Sequence, residues 1–130
     1  MGRNTYELVL TFGEWPYGGK TVVVLSTGSP QVPDHLAGSV EVTSLAPVEL
    51  VQHLAGKGAK HLYVDGGKTI QSFLWAGLID ELTITLTPIL IGEGLPLFGP
   101  LNQDLKLKHL ETKAYPNGFV QNKYQPVRAA

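Results

Sequence analysis

Residues 63–70 read Tyr63-Val64-Asp65-Gly66-Gly67-Lys68-Thr69-Ile70: the end of an apolar run, two glycines, then the start of a helix. Adjacent glycines weaken both a strand and a helix, because each loses backbone entropy on ordering and adds no packing. The space left by their missing side chains therefore suits some other group. A strand that ends at a helix N-terminus presents free backbone N–H groups and the positive end of the helix dipole, which together suit a phosphate. Gly67-Lys68-Thr69 matches the last three positions of a triphosphate-binding P-loop, but that spacing requires glycine where Leu62 stands. The dinucleotide fingerprint Gly-x-Gly-x-x-Gly fails too, since it requires glycine at 68 or 71, where the chain has Lys68 and Gln71. A tight strand-to-helix connection with no ligand stays open beside the phosphate reading.

Outward from this stretch, the order of elements points to an α/β fold. Residues 20–26 (KTVVVLS) and 60–65 (KHLYVD) are short β-branched or apolar runs bounded by turn residues, as expected of strands buried on both faces of a mainly parallel sheet. Between them, residues 39–43 alternate apolar and polar, and Pro47, Leu50, Val51 and Leu54 fall at helical spacing before Gly56 and Gly58. After the paired glycines, Ile70, Phe73, Leu74 and Gly77 share a helical face. Residues 80–89 then alternate Leu82, Ile84 and Leu86 against Thr83, Thr85 and Thr87, the pattern of a half-buried strand. Two further strands, near 105–114 and 119–125, are joined through Tyr115-Pro116-Asn117-Gly118, a hairpin turn signal. The expected sheet is mixed, and Gly92 to Pro100 reads as a loop within one domain spanning 1–130.

Composition narrows the function classes. A chain of 130 residues is the size of one ordinary domain. Its net charge of −1 offers no field for a polyanion, so neither nucleic acid nor an acidic membrane surface is an expected partner. With no cysteine there is no disulfide, thiolate metal site or cysteine nucleophile. The apolar runs are too short for a membrane span and MGRNTYE lacks a secretory pattern, so the expected location is cytoplasmic. His35, His53, His61 and His109 show no metal-ligand spacing, and Ser26 and Ser29 lack a nucleophile-elbow context. Asp65, Asp80 and Glu81 stand at strand ends, where capping or solvation competes with acid–base roles. Arg3 and Thr5 open a helix whose face is Tyr6, Val9 and Leu10, and either bind an anion or cap it.

The pieces MGRNTYE (1–7), KTVVVLST (20–27), YVDGGKTI (63–70) and AGLIDELTITLTPILIGEGLPLF (76–98) together resemble the dihydrofolate-reductase-like superfamily over nearly the whole chain. Within it, the 76–98 phrase is most similar to the reductase domain of bacterial riboflavin biosynthesis and its small stand-alone relatives. The resemblance implies a mixed, mainly parallel sheet flanked by helices, with NADPH bound across the carboxyl ends of its strands. It implies that Gly66 and Gly67, joined by a cis peptide, admit the cofactor pyrophosphate to the helix beginning at Lys68, Thr69 and Ile70. It further implies a second phosphate turn at Gly2, Arg3, Asn4 and Thr5, with Arg3, Ser26 and Thr27 facing the 2′-phosphate that separates NADPH from NADH. The implied substrate is a pyrimidine- or pteridine-like heterocycle, and the implied assembly is a homodimer.

The chain also departs from that family. Its members carry about forty or more residues ahead of the Met-Gly-Arg turn, including two central strands that flank the equivalent of residues 60–65. Here the turn begins at Met1, so the fold is expected to lack the family's first strands and to leave residues 60–65 with unpaired edges. Either the chain is a fragment or mis-started frame, or a rearranged or exchanged strand closes the fold. Two functions follow: an NADPH-dependent reductase, or a non-catalytic nucleotide-binding or dimerising remnant of that fold.

Overall fold

In the computed structural model, which describes residues 1–128, β1 (Val22–Leu25) and β2 (Val40–Thr43) form a parallel pair. They are connected through a 3₁₀ turn at Asp34–Leu36. Ahead of them runs α1 (Arg3–Leu10), and after them α2 (Pro47–Gly56) and α3 (Gly67–Trp75). The chain then builds an antiparallel sheet from β3 (Leu82–Leu86), β4 (Leu107–Ala114) and β5 (Val120–Pro126), in the order β3-β5-β4. Parallel and antiparallel pairing with flanking helices is the mixed α/β class expected from the sequence.

The run Val22-Val23-Val24-Leu25 is apolar throughout because β1 is covered on both faces. Val22 and Val24 pack with Tyr6 of α1, against Trp15, Tyr17, Val40 and Val42. Val23 and Leu25 turn the other way, toward Leu50 and Leu54 of α2 and Phe73 of α3. Tyr6 is fully buried and its hydroxyl donates to the Gln31 carbonyl at 2.8 Å, so the loop after β1 is tied to α1. Helix α2 starts where Pro47 supplies a fixed φ at the first turn, and its apolar positions Leu50 and Leu54 are one turn apart.

The tail folds as its turn signal requires. Gly118 has φ 92°, the Gly118 N–H donates to the Tyr115 carbonyl, and the Asn117 side chain accepts from the Phe119 N–H. The β4–β5 ladder runs from Leu107↔Pro126 to Ala114↔Val120, with a shift between His109 and Glu111.

Two expectations are corrected. Residues 60–65 form no strand; they stand outside every ladder, and Leu62 and Tyr63 are 42% and 88% exposed. The physical reason is the one anticipated from the sheet order: a buried apolar strand needs partners on both edges, and among the described residues this segment pairs with none. Among the described residues there are consequently two separate sheets rather than one continuous sheet. Further, no cis peptide bond occurs among the described residues; the Gly66–Gly67 bond is trans, and Gly66 makes the turn with φ 94° and ψ 133° instead.

Met1 extends the parallel pair on its other edge. Its terminal ammonium donates to the Val23 carbonyl at 2.9 Å, the Leu25 N–H donates to the Met1 carbonyl at 2.8 Å, and Gly2 bridges Leu25 in the parallel sense. Burial holds the pKa of this ammonium below the usual α-amino value, and the Asp65 carboxylate opposes the shift. A lowered folded-state pKa means that the unfolded chain binds the extra proton in the window below about pH 8. Stability from this group is therefore complete above the unfolded pKa and lost as pH falls through the folded one. Urea midpoints of the 130-residue chain with a free Met1 amine should rise from neutral to mildly alkaline pH, and an Nα-acetylated version of the same chain should lack that part of the rise.

Candidate functional site

Helix α1 begins after Gly2 and α3 begins after Gly66, and neither N-cap residue supplies a side-chain cap. The first intrahelical bonds are Tyr6 N–H to Gly2 C=O and Ile70 N–H to Gly66 C=O. The N–H groups of Arg3, Asn4 and Thr5, and those of Gly67, Lys68 and Thr69, therefore have no acceptor within their own helices.

These two helix starts meet. A Cβ at Gly66 would stand 2.9 Å from Thr5 Oγ1 and 3.9 Å from the Gly2 nitrogen; a Cβ at Gly2 would stand 3.1 Å from Thr69 Oγ1. Thr69 is buried and Thr5 half-buried between the turns. Two dipole ends of the same sign are thus brought together, an arrangement that favours an anion between or beside them.

The two glycines have different reasons to be glycine. Gly66 has a backbone conformation open almost only to glycine, and any side chain would also strike Thr5. Its N–H is held by Asp65 Oδ1 at 2.8 Å. Gly67 is the first residue of α3, and a Cβ there would find only ordinary contacts, the nearest at 3.7 Å from the Leu97 carbonyl oxygen. Nothing in the protein itself requires glycine at 67.

Beside the α1 turn, Arg3 lies over the loop that follows β1. Arg3 Nη1 is 2.8 Å from the position a Gly28 Cβ would take, and the Gly28 N–H donates to Ser26 Oγ at 3.1 Å. The Arg3 Nε donates to Glu7 Oε1 at 2.7 Å, which leaves the Nη edge toward Ser26 and Gly28. Both partners of this pair are half exposed, so its value lies in orientation more than in stability.

Of the residues singled out from the sequence, Gly2, Thr5, Gly66, Gly67 and Thr69 surround the joined helix starts, and Arg3 and Ser26 form the cluster next to them. Asn4, Thr27 and Lys68 are exposed, and the Ile70 N–H closes the first turn of α3. Sequence reading missed Glu7, Gly28 and Gln71. Glu7 was detectable as the i, i+4 partner of Arg3. Gln71 donates through Nε2 to the Leu97 carbonyl, and Trp75 Nε1 to the Pro100 carbonyl, so one face of α3 holds the loop Gly92 to Pro100 near Gly67. No local pattern announces that pairing. No group of acidic residues and histidines fit to hold a metal occurs among the described residues, and no helix among them is long and apolar enough to cross a membrane.

Comparison with known proteins gives this geometry its class. Residues 16–121 match the RibD C-terminal domain, and the chain belongs to that family. A Shewanella sp. PV-4 protein, provisionally named for riboflavin biosynthesis, matches 98% of this chain with 72% of its own at 41% identity and a TM-score of 0.91. Acinetobacter baumannii RibD matches 89% of this chain with 34% of its own, at 22% identity and a TM-score of 0.62, and shares the fold. In Bacillus subtilis, YwjB is 33% identical over 118 residues, 88% of this chain and 66% of YwjB. YyaP is 35% identical over 78 residues, 59% of this chain and 42% of YyaP. Both Bacillus relatives are uncharacterized, and the chain spans two thirds or less of each.

The two glycines can be told apart by substitution. Gly66→Ala should lower stability by about 1–3 kcal/mol through backbone strain alone. Gly67→Ala should leave stability unchanged or raise it by up to about 1 kcal/mol, as expected when alanine replaces glycine in a helix. Urea denaturation of both variants makes the comparison.

Proposed function

We propose that this chain binds NADPH through the joined starts of α1 and α3 and belongs to a reductase acting on a pyrimidine- or pteridine-like heterocycle. The observation that carries the reading is the meeting of two uncapped helix starts: a Cβ at Gly66 would stand 2.9 Å from Thr5 Oγ1 and one at Gly2 3.1 Å from Thr69 Oγ1, which brings the free N–H groups of α1 and α3 together. Pyrophosphate oxygens would accept from the N–H groups of Arg3 to Thr5 and Gly67 to Thr69. The Nη edge of Arg3, held by Glu7, together with the Ser26 hydroxyl, would meet a 2′-phosphate. Thr27 and Lys68 lie within the same two turns, where their exposed side chains can reach a bound dinucleotide from solvent. Membership of the RibD C-terminal domain family supports a reductase, in which the cofactor supplies the hydride and the protein supplies position and electrostatics.

A second reading is a nucleotide-binding or dimerising remnant of the reductase fold. It is favoured by residues 60–65, which stand outside the sheets, and by the open cleft beside them. Turnover of NADPH with a panel of pterins and pyrimidinediones, followed by nicotinamide absorbance, separates the two: steady oxidation supports the reductase, and binding without oxidation supports the remnant.

Arg3→Ala should weaken NADPH by about 1.5–3 kcal/mol, the scale of a charge-assisted hydrogen bond, and NADH much less. Calorimetric titration of both cofactors checks this, and equal losses would remove Arg3 from the 2′-phosphate.

The proposed assembly is a homodimer. Leu86, Ile89, Leu90, Ile91 and Leu95 are each at least 66% exposed, and Leu97 and Phe98 continue the patch. So many exposed apolar residues within residues 86–98 are usually covered by a partner. Light scattering at micromolar concentration should return twice the chain mass, and Leu90→Asp with Leu95→Asp should return the monomer.

A further inference from the structure

The loop that leaves β1 is fixed at both ends. The Ser26 N–H donates to the Thr43 carbonyl at 2.9 Å, and the Gln31 carbonyl accepts from the buried Tyr6 hydroxyl at 2.8 Å. Gly28 sits exposed between these two ties, against the tip of the Arg3 side chain. Its backbone lies outside the left-handed region, so its own conformation does not call for glycine.

Its surroundings do call for it. A Cβ at Gly28 would stand 2.8 Å from Arg3 Nη1 and 3.7 Å from Ser26 Oγ. Non-bonded heavy atoms pack at about 3.5–4.0 Å, so the serine can keep its place beside a methyl group and the guanidinium cannot. The loop is tied and the Arg3 side chain is half exposed, so the guanidinium is the part that gives way. Glu7 meanwhile holds Arg3 at Nε, at 2.7 Å. A methyl group at 28 therefore parts the Nη edge from Ser26 while Nε stays on Glu7.

Gly28 acts a second time through its N–H, which donates to Ser26 Oγ at 3.1 Å. That bond turns a lone pair of the hydroxyl oxygen toward the loop and leaves the hydroxyl hydrogen to donate to a ligand. A phosphate monoester takes both a charged fork and a neutral donor, whereas a ribose hydroxyl gains far less from the charge.

We infer that Gly28 is a specificity-determining residue of this chain, seating the Arg3 guanidinium and aiming the Ser26 hydroxyl at the 2′-phosphate of the cofactor. The inference rests on the NADPH reading and deepens it: Arg3 supplies the attraction, and the absence of a side chain at 28 decides where that charge stands.

The test is Gly28→Ala in the 130-residue protein, titrated with NADPH and with NADH, which differ only in the 2′-phosphate. The substitution should weaken NADPH about tenfold, the scale of one charge-assisted contact, and NADH less than about twofold, with the urea midpoint unchanged. In an Arg3→Ala background it should cost NADPH nothing further, because the two residues act through one group. In the ligand-free protein, the proton–nitrogen NMR signal of Arg3 Nε should move in Gly28→Ala and stay in place in Gly38→Ala, where a Cβ would meet nothing within 4 Å. An unchanged preference for NADPH in Gly28→Ala, or an unmoved Arg3 signal, would overturn the inference and leave the nucleotide reading intact. Equal losses for both cofactors, or the full loss still present without Arg3, would assign Gly28 to loop shape alone and overturn it as well. An unsubstituted chain that binds the two cofactors equally, or binds neither, would overturn the NADPH reading and this inference with it.

Discussion

Gly66 is the constraint on which the arrangement depends. Its φ of 94° turns the chain out of residues 60–65 and into α3 within one residue, and its lack of a side chain lets Thr5 approach. With any other residue, backbone strain and the Thr5 contact would both push the start of α3 away from the start of α1. The joined helix ends, the burial of Thr69, and the placement of the loop at Gly92–Pro100 along α3 all follow from that close approach.

The second organising feature is that β1 is used on all sides. Its faces are covered by α1 and by the α2–α3 pair, one edge is paired with β2, and the other edge is taken up only as far as Met1. A strand buried on both faces gains most from a complete ladder, because an unpaired buried amide costs roughly 1–3 kcal/mol. The neighbouring segment 60–65 shows the consequence. Its sequence reads as a central strand, yet among the described residues the segment pairs with no strand and Tyr63 faces solvent. The acid–base groups near this edge respond in the same sense. Burial, the Asp65 charge and Tyr63 hold the Tyr17 hydroxyl above its usual pKa, just as burial holds the Met1 ammonium below its own.

The site joins two kinds of donor. Helix N–H groups supply fixed partial charge without a side chain, which suits a ligand that must come close to backbone. Arg3 adds a full charge at one end, and Glu7 sets which edge of the guanidinium is offered. In the proposed reading, the turn at Gly66–Gly67 would select a ligand by shape and the cluster at Arg3–Ser26 would select it by charge.

Periodicity alone determined most of the local structure, because helices and strands are written in short-range patterns. Pro47 with Leu50 and Leu54 marked α2, the Leu–Thr alternation marked β3, and Pro116-Asn117-Gly118 marked the final hairpin. The glycine pair marked the turn into α3, and family resemblance named Arg3 and Ser26 as candidates. Pairing is a long-range property, so tertiary structure alone decided the rest. It decided that residues 60–65 stay outside the sheets, that Gly66 turns through a positive φ across a trans bond, and that Glu7, Gly28 and Gln71 reach the site. Strand propensity is a statement about one segment, whereas a ladder needs a neighbour, and a neighbour is supplied only by the folded whole.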